Sequence, residues 1–228
     1  MKSLSLVVPV FNAPDLARAA CARLPELASA AAACGFGLVE AVFVDDGSEP
    51  PLRGVGPVSG LPDVAVRVLR NGTNRVKGFS VKRGALAARG DWVLMSDVDL
   101  SAPFPEFRRL AERSDAWMVC GSRRGRPGMP FRRRLLSRMV HALVRLAGVK
   151  GVQDTQCGFK LFRMDAMRAV FAAQRTDRFA FDVELLRRVF RAGGTVAEVP
   201  VDWRGGSRRS LRVLRDAPRK LYDLFRIR

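Results

Sequence analysis

Short apolar runs that end in polar loops recur along this chain, and between them lie stretches whose apolar residues return at helical spacing. Residues 4–12, Leu4-Ser5-Leu6-Val7-Val8-Pro9-Val10-Phe11-Asn12, predict a first strand that Pro9 and Asn12 bring to a loop. Residues 15–33 are rich in alanine and leucine with an acid early, which predicts a helix. Residues 38–44 predict a second strand, ending in Asp45-Asp46-Gly47-Ser48, and the proline- and glycine-rich 49–62 a loop. Residues 64–69 predict a third strand, and the polar loop 71–78 leads into a helix over 79–88. Strand, helix, strand, with each strand finishing in polar residues, opens a doubly wound parallel sheet. No Gly-x-Gly-x-x-Gly follows the first strand, which argues against a dinucleotide site.

The next run carries the chemistry. Gly90-Asp91-Trp92-Val93-Leu94-Met95-Ser96-Asp97-Val98-Asp99 is apolar until two acids one residue apart close it, with Pro103 just beyond. Unbroken apolarity predicts a parallel strand buried on both faces. Such a strand delivers Asp97 and Asp99 to the C-terminal edge of the sheet, where open α/β sheets bind ligands. Two carboxylates there suit a hard cation, because Mg2+ takes one or two carboxylates together with phosphate oxygens. A nucleotide diphosphate is then the natural co-ligand, and Lys77 at a helix N-terminus suits its phosphates. Taken singly, the acids also suit a strand-ending turn and the lysine loop an ordinary one.

Beyond Pro103 the pattern predicts a helix over 105–113, a strand over 116–121, a strongly basic loop over 123–134 and a helix over 135–146. The polar motif 154–162, a helix over 181–190, a strand over 195–203 and a loop at 205–208 follow. Asp182 and Glu184 read either as partners for the loop arginines or as a solvated helix face. Residues 1–209 make one domain and 210–228 a basic amphipathic tail suited to docking on an anionic membrane surface.

Composition narrows the classes. With 228 residues, 48% of them hydrophobic, the chain can bury a full core as a single domain. Its four cysteines show no Cys-x-x-Cys spacing and His141 is the sole histidine, which argues against zinc and against a disulfide framework. No apolar segment reaches the roughly 20 residues that span a bilayer, and no signal-peptide pattern opens the chain. The expectation is a cytoplasmic protein, peripheral at a membrane face. Lys and Arg number 40 against 22 Asp and Glu, a net charge of +18, which calls for a polyanionic partner. Nucleic acid is not expected, since there is one tyrosine and no aromatic-basic interleaving.

Val8-Pro9-Val10-Phe11-Asn12, Val44-Asp45-Asp46-Gly47-Ser48, Lys77-Gly78 with Arg83-Gly84, and Asp97-Val98-Asp99-Leu100-Ser101, in this order and with these gaps, resemble a family 2 glycosyltransferase of the GT-A fold. Gly121-Ser122-Arg123, Asp154-Thr155-Gln156-Cys157-Gly158-Phe159-Lys160-Leu161-Phe162 and Phe179-Ala180-Phe181-Asp182-Val183-Glu184-Leu185-Leu186 narrow the likeness. They are similar to the dolichyl-phosphate β-glucosyltransferases and their prokaryotic polyprenyl-phosphate relatives, from about Leu4 to about Leu211.

The resemblance implies an α/β chain of GT-A fold, with a Rossmann-like, mostly parallel central sheet and flanking helices. It implies an inverting, metal-dependent hexosyltransferase that moves glucose from UDP-glucose, or mannose from GDP-mannose, to a polyprenyl phosphate lipid. A soluble glycan or protein acceptor, and a non-catalytic nucleotide-sugar or nucleic-acid binder, stay open as alternatives. By resemblance Pro9, Phe11, Val44, Asp45 and Asp46 line the base and ribose pocket, Lys77 faces the phosphates, and Asp97 and Asp99 hold Mg2+ or Mn2+. Asp99, Asp154 and Arg123 are the catalytic candidates, and Arg123, Arg133 and Ser137 the acceptor-phosphate candidates. Arg208 stands in the loop that closes over the donor. Relatives often carry Glu after the first-strand Asn where this chain has Ala13, which leaves one base or ribose contact open. A phosphate nucleophile is already largely anionic at neutral pH, its second pKa being about 6. Positioning then matters more than proton abstraction, and Asp154 is the candidate for orienting the acceptor or acting as base.

Overall fold

The computed structural model describes residues 1–123, 151–178 and 180–204. The first run becomes β1 (Lys2–Val10), buried through its middle on both faces. The expected helix over 15–33 is instead two, α1 (Pro14–Ala22) and α2 (Leu24–Ala32). Pro25 is the cause, because it has no N–H to donate to the carbonyl four residues back and its ring crowds that carbonyl. The break is tied down by the Arg23 N–H, 3.2 Å from the Ala20 carbonyl, and by an Arg23–Glu26 ion pair of 2.7 Å.

β2 (Phe36–Asp45) and β3 (Ala65–Arg70) follow, and α3 (Val76–Ala87) begins about a turn earlier than expected, so that Lys77 stands inside its first turn. β4 (Trp92–Ser96) is buried throughout. A 3-10 turn, Phe104–Glu106, leads into α4 (Phe107–Ala111) and then β5 (Met118–Ser122). β6 (Phe159–Arg163) and α5 (Met164–Ala173) have no counterpart among the expected elements. α6 (Phe181–Arg191) and β7 (Val196–Pro200) complete the described chain. The helix expected over 135–146, the loop 205–208 and the tail 210–228 lie outside the described residues, as does His141.

The strands form one sheet in the order β3-β2-β1-β4-β6-β5-β7. β1 pairs parallel with β2 and β4, β2 with β3, and β5 with β7, while β6 runs antiparallel to β4 and β5. This is the expected mostly parallel α/β sheet with one reversed strand among the described residues. The reversal has a consequence for the site. The start of β6 lies at the same edge as the ends of β4 and β5, so residues just before Phe159 join Asp97, Asp99 and Arg123 there.

Each face of the sheet carries its own apolar core, with α1, α2 and α4 against one and α3, α5 and α6 against the other. α3 lies so close to β1 and β2 that a Cβ at Gly84 would stand 2.5 Å from Val7 Cγ1 and 2.9 Å from Val44 Cγ2. Glu40, buried inside β2, ties three segments together: it accepts from Ser5 Oγ at 2.8 Å, Arg67 at 2.8 Å and the Arg89 N–H at 2.6 Å. No helix among the described residues is long and apolar enough to cross a membrane.

Two measurements check this packing. Gly84→Ala forces a methyl group against Val7 and Val44, and should lower the unfolding free energy in urea titrations by about 1–3 kcal/mol. Burial raises the pKa of the Glu40 and Glu184 carboxyls, but hydrogen bonds from backbone N–H groups and from Arg67 and Arg188 outweigh it and hold both below the ordinary value. Groups of that kind stabilise the fold fully above the unfolded-state pKa of about 4.3 and lose the contribution as pH falls through the lower folded-state value. Thermal melts should therefore be level from pH 7 to about 5 and fall steeply below about 4. In Glu40→Gln the acid fall should be shallower.

Candidate active site

Asp97 leaves the end of β4 with its N–H on the Gly158 carbonyl at 3.0 Å. Its Oδ1 meets the Lys77 ammonium at 2.5 Å, with both side chains partly open to solvent. Gly158 is pressed against the same carboxylate, so closely that a Cβ there would lie 2.0 Å from Asp97 Oδ2. Any other residue at 158 would push the carboxylate aside. Asp99 is exposed two residues on, and its Oδ1 accepts the Ser101 N–H at 3.1 Å. Leu100 between them has φ 46°, and the other described non-glycine residues with positive φ are Asn12 (49°) and Val76 (68°). All three flank this edge of the sheet, and for β-branched Val76 the conformation is strained. Lys77 follows directly, so the strained turn sets where its side chain starts.

The pair Asp97 and Asp99 fits a hard divalent ion. Both donors are carboxylate oxygens, Asp97 already holds a cation in Lys77, and Asp99 stands open to solvent. Among the described residues no group of three or more histidines, cysteines or acids is placed to hold a metal, so the protein would offer these two carboxylates at most. That is the sparse oxygen set Mg2+ uses when phosphate and water supply the remaining positions.

Across the edge, Arg123 forks onto Asp154, Nε to Oδ2 and Nη2 to Oδ1 at 2.6 Å each, and its backbone N–H reaches Oδ2 at 3.0 Å. The guanidinium also lies over the Trp203 ring, 5.3 Å from its centroid. Glu198 on β7 holds the loop in turn, accepting the Gln153 and Asp154 N–H groups at 2.8 Å each. Burial works against ionisation of Asp154, but the hydrogen bonds and charge of Arg123 prevail and keep its carboxyl below the usual range. Asp154 is accordingly a weak base held in a fixed place.

The ends of β1 and β2 are arranged differently. Pro9 is partly exposed and Phe11 is 49% exposed, so both present apolar surface at the edge. The Val44 side chain is fully buried, in the core beneath α3. Asp45 is buried too and braces the loop after β2, accepting the Ser48 N–H at 2.9 Å, the Leu52 N–H at 3.0 Å and Arg70 at 2.7 Å. Asp46 Oδ1 accepts Asn71 Nδ2 at 2.7 Å and the Arg75 N–H at 2.9 Å, which links β2 to the entry of α3. Gly47 between loop and helix has φ 75°, and a Cβ there would stand 2.6 Å from the Thr73 carbonyl carbon.

Several groups were placed differently by sequence reasoning, or not at all. Asp182 and Glu184 are buried rather than a solvated helix face. Glu184 accepts the Arg175 and Thr176 N–H groups at 2.9 and 2.7 Å and pairs with Arg188, and Asp182 lies 2.7 Å from the ammonium of Lys160. The alternation Phe159-Lys160-Leu161-Phe162 was the available signal for β6, with a lysine at an inward position. Cys120 and Cys157 are buried, and burial pushes both thiols up to about 12, which leaves them un-ionised at neutral pH. Arg133, Ser137, Phe179 and Arg208 lie outside the described residues.

The family model described as glycosyl transferase family 2 matches residues 5–171. The dolichyl-phosphate β-glucosyltransferase of Dictyostelium discoideum is 34% identical over 218 residues, covering 88% of this chain and 66% of the relative. Those of Mus musculus and Homo sapiens are 34% and 33% identical, each over 89% of this chain and 67% of the relative. The chain thus spans about two thirds of the length of these relatives. Among solved structures, the mannosyl-3-phosphoglycerate synthase of Rubrobacter xylanophilus superposes with a TM-score of 0.68 at 19% identity, over 99% of this chain and 74% of that one. The Mycobacterium tuberculosis glucosyl-3-phosphoglycerate synthase, solved with Mn2+, UDP-glucose and glycerol 3-phosphate, superposes at 0.62 with 16% identity, over 98% and 80% of the two chains. The structures establish a shared GT-A-type fold, and the match across most of the sequence establishes the lineage: the chain belongs to glycosyl transferase family 2.

Proposed function

We propose that the protein transfers glucose, with inversion, from UDP-glucose to the phosphate of a polyprenyl lipid. The reading is carried by one observation. Lys77 pairs with Asp97 and Arg123 with Asp154 at the sheet edge that also carries Asp99, in a chain a third identical to dolichyl-phosphate β-glucosyltransferases.

On this reading the exposed Phe11 and Pro9 receive the base, and Asp45 and Asp46 act on the nucleotide chiefly by bracing the loops around it. Val44 contributes packing beneath that pocket. Lys77, in the first turn of α3, exchanges Asp97 for a diphosphate oxygen, where the helix N-terminus adds its own N–H groups. Asp97 and Asp99 are the residues that would hold Mg2+ or Mn2+, and the ion would neutralise charge on the leaving diphosphate. Arg123 receives the acceptor phosphate with the paired donors that a guanidinium offers an oxyanion. Asp154 keeps the fork of Arg123 in place and turns it toward the cleft. By resemblance Arg133 and Ser137 also contact the acceptor phosphate, and Arg208 the nucleotide sugar. The acceptor phosphate arrives as an anion, so catalysis rests on placing it in line with the anomeric carbon rather than on removing a proton. The net charge of +18 favours approach to an anionic membrane face, where such a lipid resides.

Radiolabelled UDP-glucose offered with polyprenyl phosphate and Mn2+, followed by organic extraction, tests the reaction. Wild-type protein should move label into the organic phase, GDP-mannose should not, and Asp99→Asn should cut turnover by about 100-fold or more, the scale of losing a charge-stabilising group. Label that stays aqueous under every condition would overturn the lipid acceptor.

A pH profile separates the two roles open to Asp154. If it only positions Arg123, the acid limb of kcat/KM should follow the acceptor phosphate near pH 6. Asp154→Asn should then raise the acceptor KM by about 10-fold or more while keeping the shape of the profile. A profile whose acid limb disappears in Asp154→Asn would identify a general base instead.

A further inference from the structure

Lys160 lies in β6 with none of its surface exposed, on the face of the sheet opposite to Phe159 and Leu161. Its ammonium stands 2.7 Å from Asp182 Oδ1 and donates a hydrogen bond to the Cys157 carbonyl oxygen. Withdrawing both charges from water costs several kcal/mol, and an apolar pair of similar volume would serve a core as well or better. The pair therefore needs an explanation other than stability. Burial pushes the Asp182 carboxyl up, and the charges of Lys160 and of Lys77 both oppose it, which sets this pair in the field of the Lys77–Asp97 pair.

The backbone shows what the ammonium fixes. Lys160 faces Met95 across the β4–β6 ladder, and Asp97 follows on the same side of β4 two residues later. Gly158 precedes Lys160 by two residues, and its carbonyl receives the Asp97 N–H at 3.0 Å. Its Cα lies against the Asp97 carboxylate, with room for no side chain. The Cys157 carbonyl held by Lys160 belongs to the peptide that leads directly into Gly158.

We propose that Lys160, charge-balanced by Asp182, is a positioning residue that fixes the Cys157–Gly158 peptide and thereby holds the Asp97 carboxylate in the orientation that takes a divalent ion. This rests on reading Asp97 and Asp99 as the ligands of that ion. Lys160 is remote from solvent and acts only through the peptide.

Binding of Mn2+ in the presence of saturating UDP, followed by the loss of the free-ion electron paramagnetic resonance signal, tests the proposal without turnover. Wild type should bind and Asp97→Asn should not; equal binding by the two would overturn the metal reading itself, whatever Lys160 does. With that control in place, Lys160→Met/Asp182→Asn should keep the wild-type circular dichroism and melting transition to within a few degrees. Its Mn2+ affinity should fall by about 10–100-fold, the usual cost of losing an outer-shell partner. Lys160→Gln/Asp182→Asn restores a donor to the Cys157 carbonyl, and should recover most of the loss. A folded Lys160→Met/Asp182→Asn protein with wild-type Mn2+ affinity would overturn the proposal. If that protein does not fold, Lys160→Leu/Asp182→Asn takes its place, since it also removes the donor to the Cys157 carbonyl. A similar loss is expected there, and unchanged affinity would sink the proposal equally.

Discussion

Charge at the C-terminal edge of the sheet has to be balanced from within the chain, and much of the architecture serves that requirement. An ion removed from water without a partner costs several kcal/mol, so a cleft that must offer both carboxylates and cations to a ligand pairs them while it waits. Lys77 meets Asp97, Arg123 meets Asp154 and Lys160 meets Asp182. Each pair joins segments distant in sequence: α3 to β4, β5 to the loop before β6, and β6 to α6. The reversed strand makes this possible. A β6 parallel to its neighbours would carry Cys157 and Gly158 to the opposite end of the sheet, and Asp97 would lose its backbone partner.

Much of this was legible in the chain because the responsible features are local. The apolar run into Asp97 and Asp99 shows a buried strand with an acidic end, since such a strand has no polar face to disguise it. The loop after β2 is equally plain from Asp45-Asp46-Gly47-Ser48. Pro25 was legible too, and its power to divide 15–33 into two helices follows from its missing N–H. What stayed hidden depends on partners far away. Lys160 reads as a surface residue until Asp182, more than twenty positions later, is placed beside it. β6 and α5 hide for a related reason, because the strand passes straight into the helix at Arg163–Met164 with no turn residue to mark the boundary. Val44 and Asp45 show the same limit in reverse. Their motif marks the end of β2 correctly, while burial decides that one fills the core and the other braces a loop.

The state of the two outer pairs distinguishes their roles. Lys77 and Asp97 are both partly open, and their contact is a single ion pair that a ligand can replace at little cost. On the proposed reading a diphosphate would take Lys77 from Asp97, Asp97 would help hold a divalent ion, and the edge would stay balanced. Arg123 and Asp154 make two side-chain hydrogen bonds and a backbone one, with Asp154 largely buried and Glu198 fixing its loop from behind. A pair held that firmly is unsuited to exchange. It suits an arginine that keeps its orientation while a phosphate binds its outward face. For a nucleophile that brings its own negative charge, such a fixed cation supplies what the reaction needs, and a carboxylate whose basicity Arg123 has suppressed is no disadvantage. The depressed carboxyl of Asp154 thus fits a phosphate acceptor better than a hydroxyl acceptor, which would call for a base able to take its proton.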